Sequence, residues 1–218
     1  VPLSTLFSGL QRQVRDLSLS LEKSVALELK GDDVEADKRV LEQLEEPLLH
    51  LLRNALDHGI EAPARRLAAG KPAQGTLSIS AVARGSELVL VVSDDGAGLD
   101  VAALRKAAVD KGLLTVEAAA RLDDAQAQQL IFLSGFSTRA GASDVSGRGI
   151  GMDVVRARVE QLGGRLLLSS EPGRGVRVQV TVPLSVTLTS CLVVELAGHR
   201  YALPTVAIVP AFGLRALP

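Results

Sequence analysis

HLLRNALDHGIE, residues 50–61, decides how the chain is read. A helix turns once every 3.6 residues, so His50, Asn54 and Asp57/His58 share one stripe. Leu48, Leu51, Leu52 and Ala55 cover the other side. A solvated amphipathic face is the plain reading of such a stripe. Yet it lacks the long Lys and Glu side chains that usually fill a solvated face, and it places Asn54, a middling helix former, in mid-helix. The second reading is a ligand face. An Asn carbonyl oxygen is a hard ligand suited to Mg²⁺, and His reaches a metal's water shell or a phosphate.

Around this stretch the helical pattern runs from about Asp37 to His58, and Pro47 predicts a break into two helices because it lacks a backbone donor. Upstream, residues 4–23 carry Leu6, Phe7, Leu10, Val14, Leu17 and Leu21 at helical spacing, with Ser4 as a cap, and VALELK (25–30) alternates as a half-buried strand does. Downstream, a short helix at 61–75 closes at Gly70, Pro72 and Gly75. TLSISAVA (76–83) and ELVLVVSD (87–94) form a hairpin about Arg84-Gly85-Ser86. Ala-rich helical segments follow through about Leu133, then a Ser/Gly/Ala-rich loop at 134–149 and a helix from Ile150 to Leu162. RLLLSSE (165–171) and VRVQVTV (176–182) flank a Pro-Gly-Arg-Gly turn. From there on the pattern is strand only, with a turn at Gly198-His199, which sets a domain boundary near Pro183. The hairpins make the sheet at least partly antiparallel and exclude a uniformly alternating, doubly wound sheet.

Bulk properties narrow the function. Of 218 residues, 47% are apolar and only 2% aromatic, so Leu, Val, Ala and Ile must build the core. Lys plus Arg (24) balances Asp plus Glu (25), and no basic, aromatic-interleaved stretch occurs, so nucleic acid is not an expected partner. Cys191 stands alone, which excludes an intramolecular disulfide framework. Neither a membrane span nor a signal-peptide pattern is present, so direct membrane insertion is not expected and a cytoplasmic location is. Both ends read as cuts in a longer protein.

Two further motifs carry chemistry. DDGAG (94–98) follows a buried-looking strand. Adenine offers an exocyclic amine where guanine offers an acceptor, so a carboxylate at the bottom of a pocket selects adenine. Taken alone, DDGAG reads first as an ordinary Asp-Gly turn, because the pattern is short and common. GRGIGMDVV (147–155) opens a helix, and Gly147, Gly149 and Gly151 free backbone N–H groups to face an anion at its N-terminus; a flexible joint is the plain alternative. The glycine spacing is neither that of a dinucleotide fold nor that of a Walker loop.

The order of these motifs, ending in Gly173-Arg174-Gly175, resembles the GHKL ATP-binding superfamily of gyrase, Hsp90 chaperones, histidine kinases and MutL proteins. Within it, HLLRNALDHGIE, FLSGFST (132–138) and SGRGIGMDVVR (146–156) closely resemble CheA-type chemotaxis histidine kinases over nearly the whole chain. The resemblance implies an α/β fold: a two-layer GHKL (Bergerat) sandwich with helices on one face of a mixed sheet, occupying residues 31–183. Residues 1–30 would be a linker following an absent dimerisation segment, and 184–218 the start of an all-β, SH3-like, CheW-like regulatory domain, cut short.

The resemblance also implies a site. Asn54 and His50 would hold Mg²⁺ against the phosphates of ATP, with Arg53, Asp57 and His58 beside them. Asp95 would bind the adenine amine. Gly96, Gly98, Gly147, Arg148, Gly149, Gly151 and Met152 would surround base and phosphates, and Phe132, Phe136, Ser137 and Thr138 would lie beneath a lid at about 134–149. Val176 stands where the family's last glycine box usually has Thr, which removes one hydrogen bond worth about 0.5–1.5 kcal/mol.

The implied reaction is γ-phosphoryl transfer to a histidine. His50 and His58 belong to the pocket and His199 to the tail, so the acceptor is expected on a separate phosphotransfer domain. A downstream response regulator, a CheW-like adaptor and a chemoreceptor array are the further partners implied. Hydrolytic relatives carry Glu where His50 stands, which argues against a gyrase-like or Hsp90-like ATPase machine; a non-enzymatic nucleotide-binding scaffold is the remaining alternative. Arg139, Arg148 and Arg156 fit phosphate contacts and ordinary solvated positions equally well.

Overall fold

The computed structural model describes residues 1–136, 151–185, 191–196 and 199–204. Helix α1 (Ser4–Ser20) and strand β1 (Val25–Lys30) lead into α2 (Lys38–Asn54), a π-helical turn (Ala55–Gly59) and α3 (Pro63–Ala68). Strands β2 (Gly75–Arg84) and β3 (Glu87–Asp94) precede α4 (Val101–Asp110), α5 (Val116–Arg121), α6 (Asp124–Gln128) and a 3₁₀ turn (Gln129–Phe132). Helix α7 (Met152–Gln161) then leads to β4 (Arg165–Glu171) and β5 (Gly175–Pro183), and last come β6 (Cys191–Leu196) and β7 (His199–Pro204).

Five strands form one sheet in the order β1-β2-β3-β5-β4. β1 pairs with β2 in parallel and every other pairing is antiparallel, so the sheet is mixed. Register brings apolar residues into rows across it. Ile79 lies opposite Val92, Val92 opposite Val178, and Val178 opposite Leu168. One pleat away run Ala81, Leu90, Val180 and Leu166. These rows join the core residues of α1, α2 and α7, and burying each Leu or Val there contributes about 1.5–3 kcal/mol. On the opposite face Val82 and Leu167 are exposed. A smaller cluster (Leu104, Ala108, Ala127, Leu130, Phe136) joins α4, α6 and the 3₁₀ turn.

Three expectations need correction. Residues 1–30 are no linker. Leu3, Leu6, Phe7, Leu10 and Val14 enter the main core at helical spacing, and β1 completes the sheet, because an apolar stripe of that length must be covered. Ser4 does not cap α1 but begins it: the first amides find partners in Val34 O and Asp32 O instead. Pro47 does not divide α2. The helix runs unbroken through it, and the ring is buried, so burial offsets the missing donor. At the other end, Leu184 N bonds Ser86 O, which ties the chain to the main unit just past Pro183. β6 and β7 pair antiparallel in a separate two-stranded sheet. No helix among the described residues is long and apolar enough to cross a membrane.

Candidate functional site

α2 delivers the first group of side chains. Asp37 caps it by accepting from Arg39 N at 2.8 Å, and Val40, Leu41, Leu44, Leu48, Leu51 and Leu52 bury its inner stripe. At Asn54 the helix widens into the π-helical turn, closed by Ile60 N to Ala55 O at 2.7 Å. Such single-turn bulges often mark functional sites. The widened turn leaves carbonyls without helical partners, and Lys23 takes them: Nζ donates to Leu56 O and, at 3.0 Å, to Asp57 O.

β3 delivers the second group. Side chains alternate along a strand, so Leu88, Leu90, Val92 and Asp94 point to the core side and Asp95 does not. Asp94 lines the cavity below. Its Oδ1 accepts from Gly96 N at 2.9 Å, and the Val176 amide donates to the same carboxylate. Burial, with Asp95 and Glu61 nearby, outweighs these bonds and pushes its pKa up to about 6. The turn that follows is packed against the π-helical turn. Ala97 N bonds Gly59 O at 2.9 Å, and a Cβ on Gly96 would lie 2.1 Å from that oxygen. Gly98 has φ +74°, a conformation side-chain-bearing residues avoid.

Asp95, expected to face the base, is turned outward. Arg66 Nη1 and Nη2 hold its two oxygens at 3.0 and 2.8 Å, and Thr76 N donates to it at 2.9 Å. The acid in the cavity is its neighbour Asp94. The signal was in the sequence: in Asp-x-Gly-x-Gly spacing, Gly96 and Gly98 pair with Asp94.

The cavity between these elements measures about 270 Å³. Of the expected residues, His50, Asn54, His58, Gly98, Phe136, Gly151 and Met152 line it. Its apolar wall of Val92, Leu168, Val176 and Val178, continuous with the core rows, escaped the sequence reading because core and pocket apolar residues look alike. Five expected residues do not line it. Arg53 sits on the solvent side of α2. Asp57 is carried off the stripe by the wider turn, toward Lys23. Gly96 packs tightly against Gly59, and Asp95 pairs with Arg66. Phe132 is buried beside the cavity, 5.7 Å beneath the Arg156 guanidinium, so Arg156 stacks on a ring and pairs with Glu160 at 3.0 Å. Ser137, Thr138, Gly147, Arg148, Gly149 and Arg139, with nearly all of the expected lid, lie outside the described residues.

On the α2 side of the cavity, Asn54 Nδ2 donates to Met152 Sδ at 3.0 Å, which turns the amide oxygen the other way. Burial, reinforced by Arg53, lowers the pKa of His50, so its imidazole is neutral near pH 7 and keeps a lone pair. An amide oxygen and a neutral imidazole on one cavity wall suit a hydrated divalent cation with phosphate ligands. Gly151 precedes α7, whose N-terminus reaches the cavity through Met152.

The family model described as histidine kinase-, DNA gyrase B-, and HSP90-like ATPase matches residues 43–186. The chemotaxis protein CheA of Treponema pallidum is 42% identical over 99% of this chain and 26% of its own length. CheA of Halobacterium salinarum is 42% identical over 94% of this chain and 30% of its own. A gliding motility regulatory protein of Myxococcus xanthus is 43% identical over 94% and 26%. This chain therefore spans about a quarter to a third of these relatives. Among solved structures, the catalytic domain of histidine kinase ThkA superposes with a TM-score of 0.52 at 15% identity, over 85% of this chain and 95% of that one. That likeness speaks to the fold alone.

Proposed function

This chain belongs to the histidine kinase-, DNA gyrase B- and HSP90-like ATPase family, and from that premise we propose that it is the ATP-binding catalytic core of a CheA-like histidine kinase. The observation that carries the reading is one cavity with a half-buried acid against an apolar wall and, on α2, an amide and a neutral imidazole. Adenine would stack into the wall of Val92, Val176 and Val178, its exocyclic amine donating to the ionised Asp94 carboxylate. The triphosphate would run toward Asn54, His50 and the Gly151–Met152 end of α7. On sequence grounds Ser137, Thr138, Gly147, Arg148 and Gly149 would also contact the nucleotide.

Asn54 and His50 would hold Mg²⁺, and Val176 in place of Thr leaves base recognition to Asp94. Bound Mg²⁺ would neutralise charge on the phosphates. The protein's own part is to orient the nucleotide and exclude water. An acceptor imidazole nitrogen forms a bond to the γ-phosphorus as the bond to the β,γ-bridging oxygen breaks, releasing ADP. A neutral imidazole is already a nucleophile, so no strong base is required. His50 replaces the Glu that would activate water, which favours transfer over hydrolysis.

The acceptor would be a histidine on a separate phosphotransfer domain, with a response regulator downstream. β6 and β7 are read as the opening hairpin of a CheW-like domain that meets an adaptor and a chemoreceptor array. The test mixes this chain with Mg²⁺, γ-labelled ATP and the phosphoacceptor domain of a CheA relative. Label on the acceptor histidine supports the proposal; a chain that binds ATP, labels nothing and releases phosphate rapidly contradicts it.

A further inference from the structure

β3 ends on two consecutive acids, and only one enters the cavity. The selection is made outside the cavity. Arg66 of α3 is 1% exposed, and arginine is almost never so buried without partners. Besides its two bonds to the Asp95 carboxylate, it donates from Nη1 to Asp95 O at 3.3 Å and Glu61 Oε2 at 3.1 Å, and from Nε to Pro72 O at 2.8 Å. Lys71 Nζ donates to Asp95 O at 3.0 Å, Gly96 O at 2.8 Å and Glu61 Oε1 at 2.8 Å. Neither cation lines the cavity. Between them they hold the carboxylate of Asp95 and the carbonyls of Asp95 and Gly96, which are the outer surface of the turn whose inner surface presents Asp94.

We propose that Arg66 and Lys71 are positioning residues for base recognition: they draw Asp95 and its backbone outward, which fixes Asp94 as the single carboxylate facing the base. The forked guanidinium–carboxylate pair has a directional geometry that a point charge does not reproduce. Removing Arg66 loosens the turn, which Lys71, Thr76 and Gly59 still hold, and takes the paired charge from the Asp95 carboxylate beside Asp94. The proposal rests on the reading of Asp94 as the group that meets the adenine amine.

The test is titration of this chain and its variants with ATP and with ITP, whose base carries an oxygen acceptor in place of the amine. In Arg66→Met, ATP affinity falls about tenfold, as loss of a charge-assisted contact at one remove implies, while ITP affinity changes little, so the ATP/ITP ratio shrinks. Arg66→Lys keeps part of the ratio. Arg66→Met combined with Asp95→Asn regains part of it, because the stranded charge is gone. Lys71→Met acts in the same direction and more weakly, and serves where Arg66→Met does not fold. Equal weakening of ATP and ITP in both Arg66→Met and Lys71→Met, or an unchanged ratio, overturns the proposal. Asp94→Asn separates the two levels: if it collapses the ratio while Arg66→Met and Lys71→Met do not, only the positioning role fails; if it too leaves the ratio intact, the base-reading role of Asp94 fails.

Discussion

The two ends of the cavity are built differently. The Asp94 end is locked. Its turn is tied to Gly59, Thr76, Arg66 and Lys71, and its acid receives two backbone donors. At the Asn54 end the backbone is helical, but among the described residues one side-chain bond, to the Met152 thioether, orients the amide. A preorganised end suits discrimination, since its donors and acceptors are fixed before the ligand arrives. An end with few fixed contacts suits groups that must adjust to a metal ion, a moving phosphoryl group and an incoming acceptor. Base selection and chemistry should therefore be separable by mutation.

The largest effect should come from Asn54→Ala. Phosphotransfer in Mg²⁺ should fall by about a hundredfold or more, as for loss of a group acting on transition-state charge. Binding of ATP without Mg²⁺ should hardly change, and calorimetry in EDTA checks that half. If both fall together, the two ends are not separable.

Next in size is pH. In the proposed role, the Asp94 carboxylate, with pKa about 6, would have to be ionised to accept the adenine amine. Protonation removes the acceptor, so ATP affinity should be flat above about pH 7 and weaken below about pH 6, approaching tenfold per unit if only the ionised form binds. Asp94→Asn should abolish this dependence, which distinguishes it from titration of the phosphates. For folding the sign is reversed. The native pKa lies above its ordinary value of 3.8, so this carboxyl favours the native state at low pH and loses that contribution as pH rises through about 6.

Smaller still, Met152→Leu preserves volume but removes the acceptor that orients Asn54. Phosphotransfer should drop about threefold to tenfold with ATP affinity in EDTA unchanged, the size expected for one weak hydrogen bond. An unchanged rate would show that Asn54 needs no such support. The smallest effect is expected from removing residues 186–218, which should leave ATP affinity within about twofold, because no described residue of that segment lines the cavity.

Much of this was legible in the chain. Alternation in 76–83 and 87–94 gave the central hairpin, and the polar stripe on α2 led to His50 and Asn54, both of which line the cavity. What was misread has physical causes. Period-two alternation continued past Val92 reaches Asp94, so the misassignment of Asp95 came from not carrying the strand's phase into the turn. The π-helical turn that displaces Asp57 has no sequence signature, because it arises where the helix end packs on the Asp94–Gly98 turn. Arg66 looked like any surface arginine of a short helix; its partners lie 5, 6 and 29 positions away, and only the fold brings them together. Pro47 obeyed the rule against helix interiors in its lost hydrogen bond but not in its outcome, since its ring fills the core.

The most direct measurement is calorimetric titration of ATP into two single variants, Asp94→Asn and Asp95→Asn. Loss of an acceptor charge should weaken binding about tenfold or more in Asp94→Asn, and less than about threefold in Asp95→Asn, where the amide oxygen still accepts from Arg66 and Thr76. The reverse order in folded protein would place the base against the other acid and contradict the cavity described above.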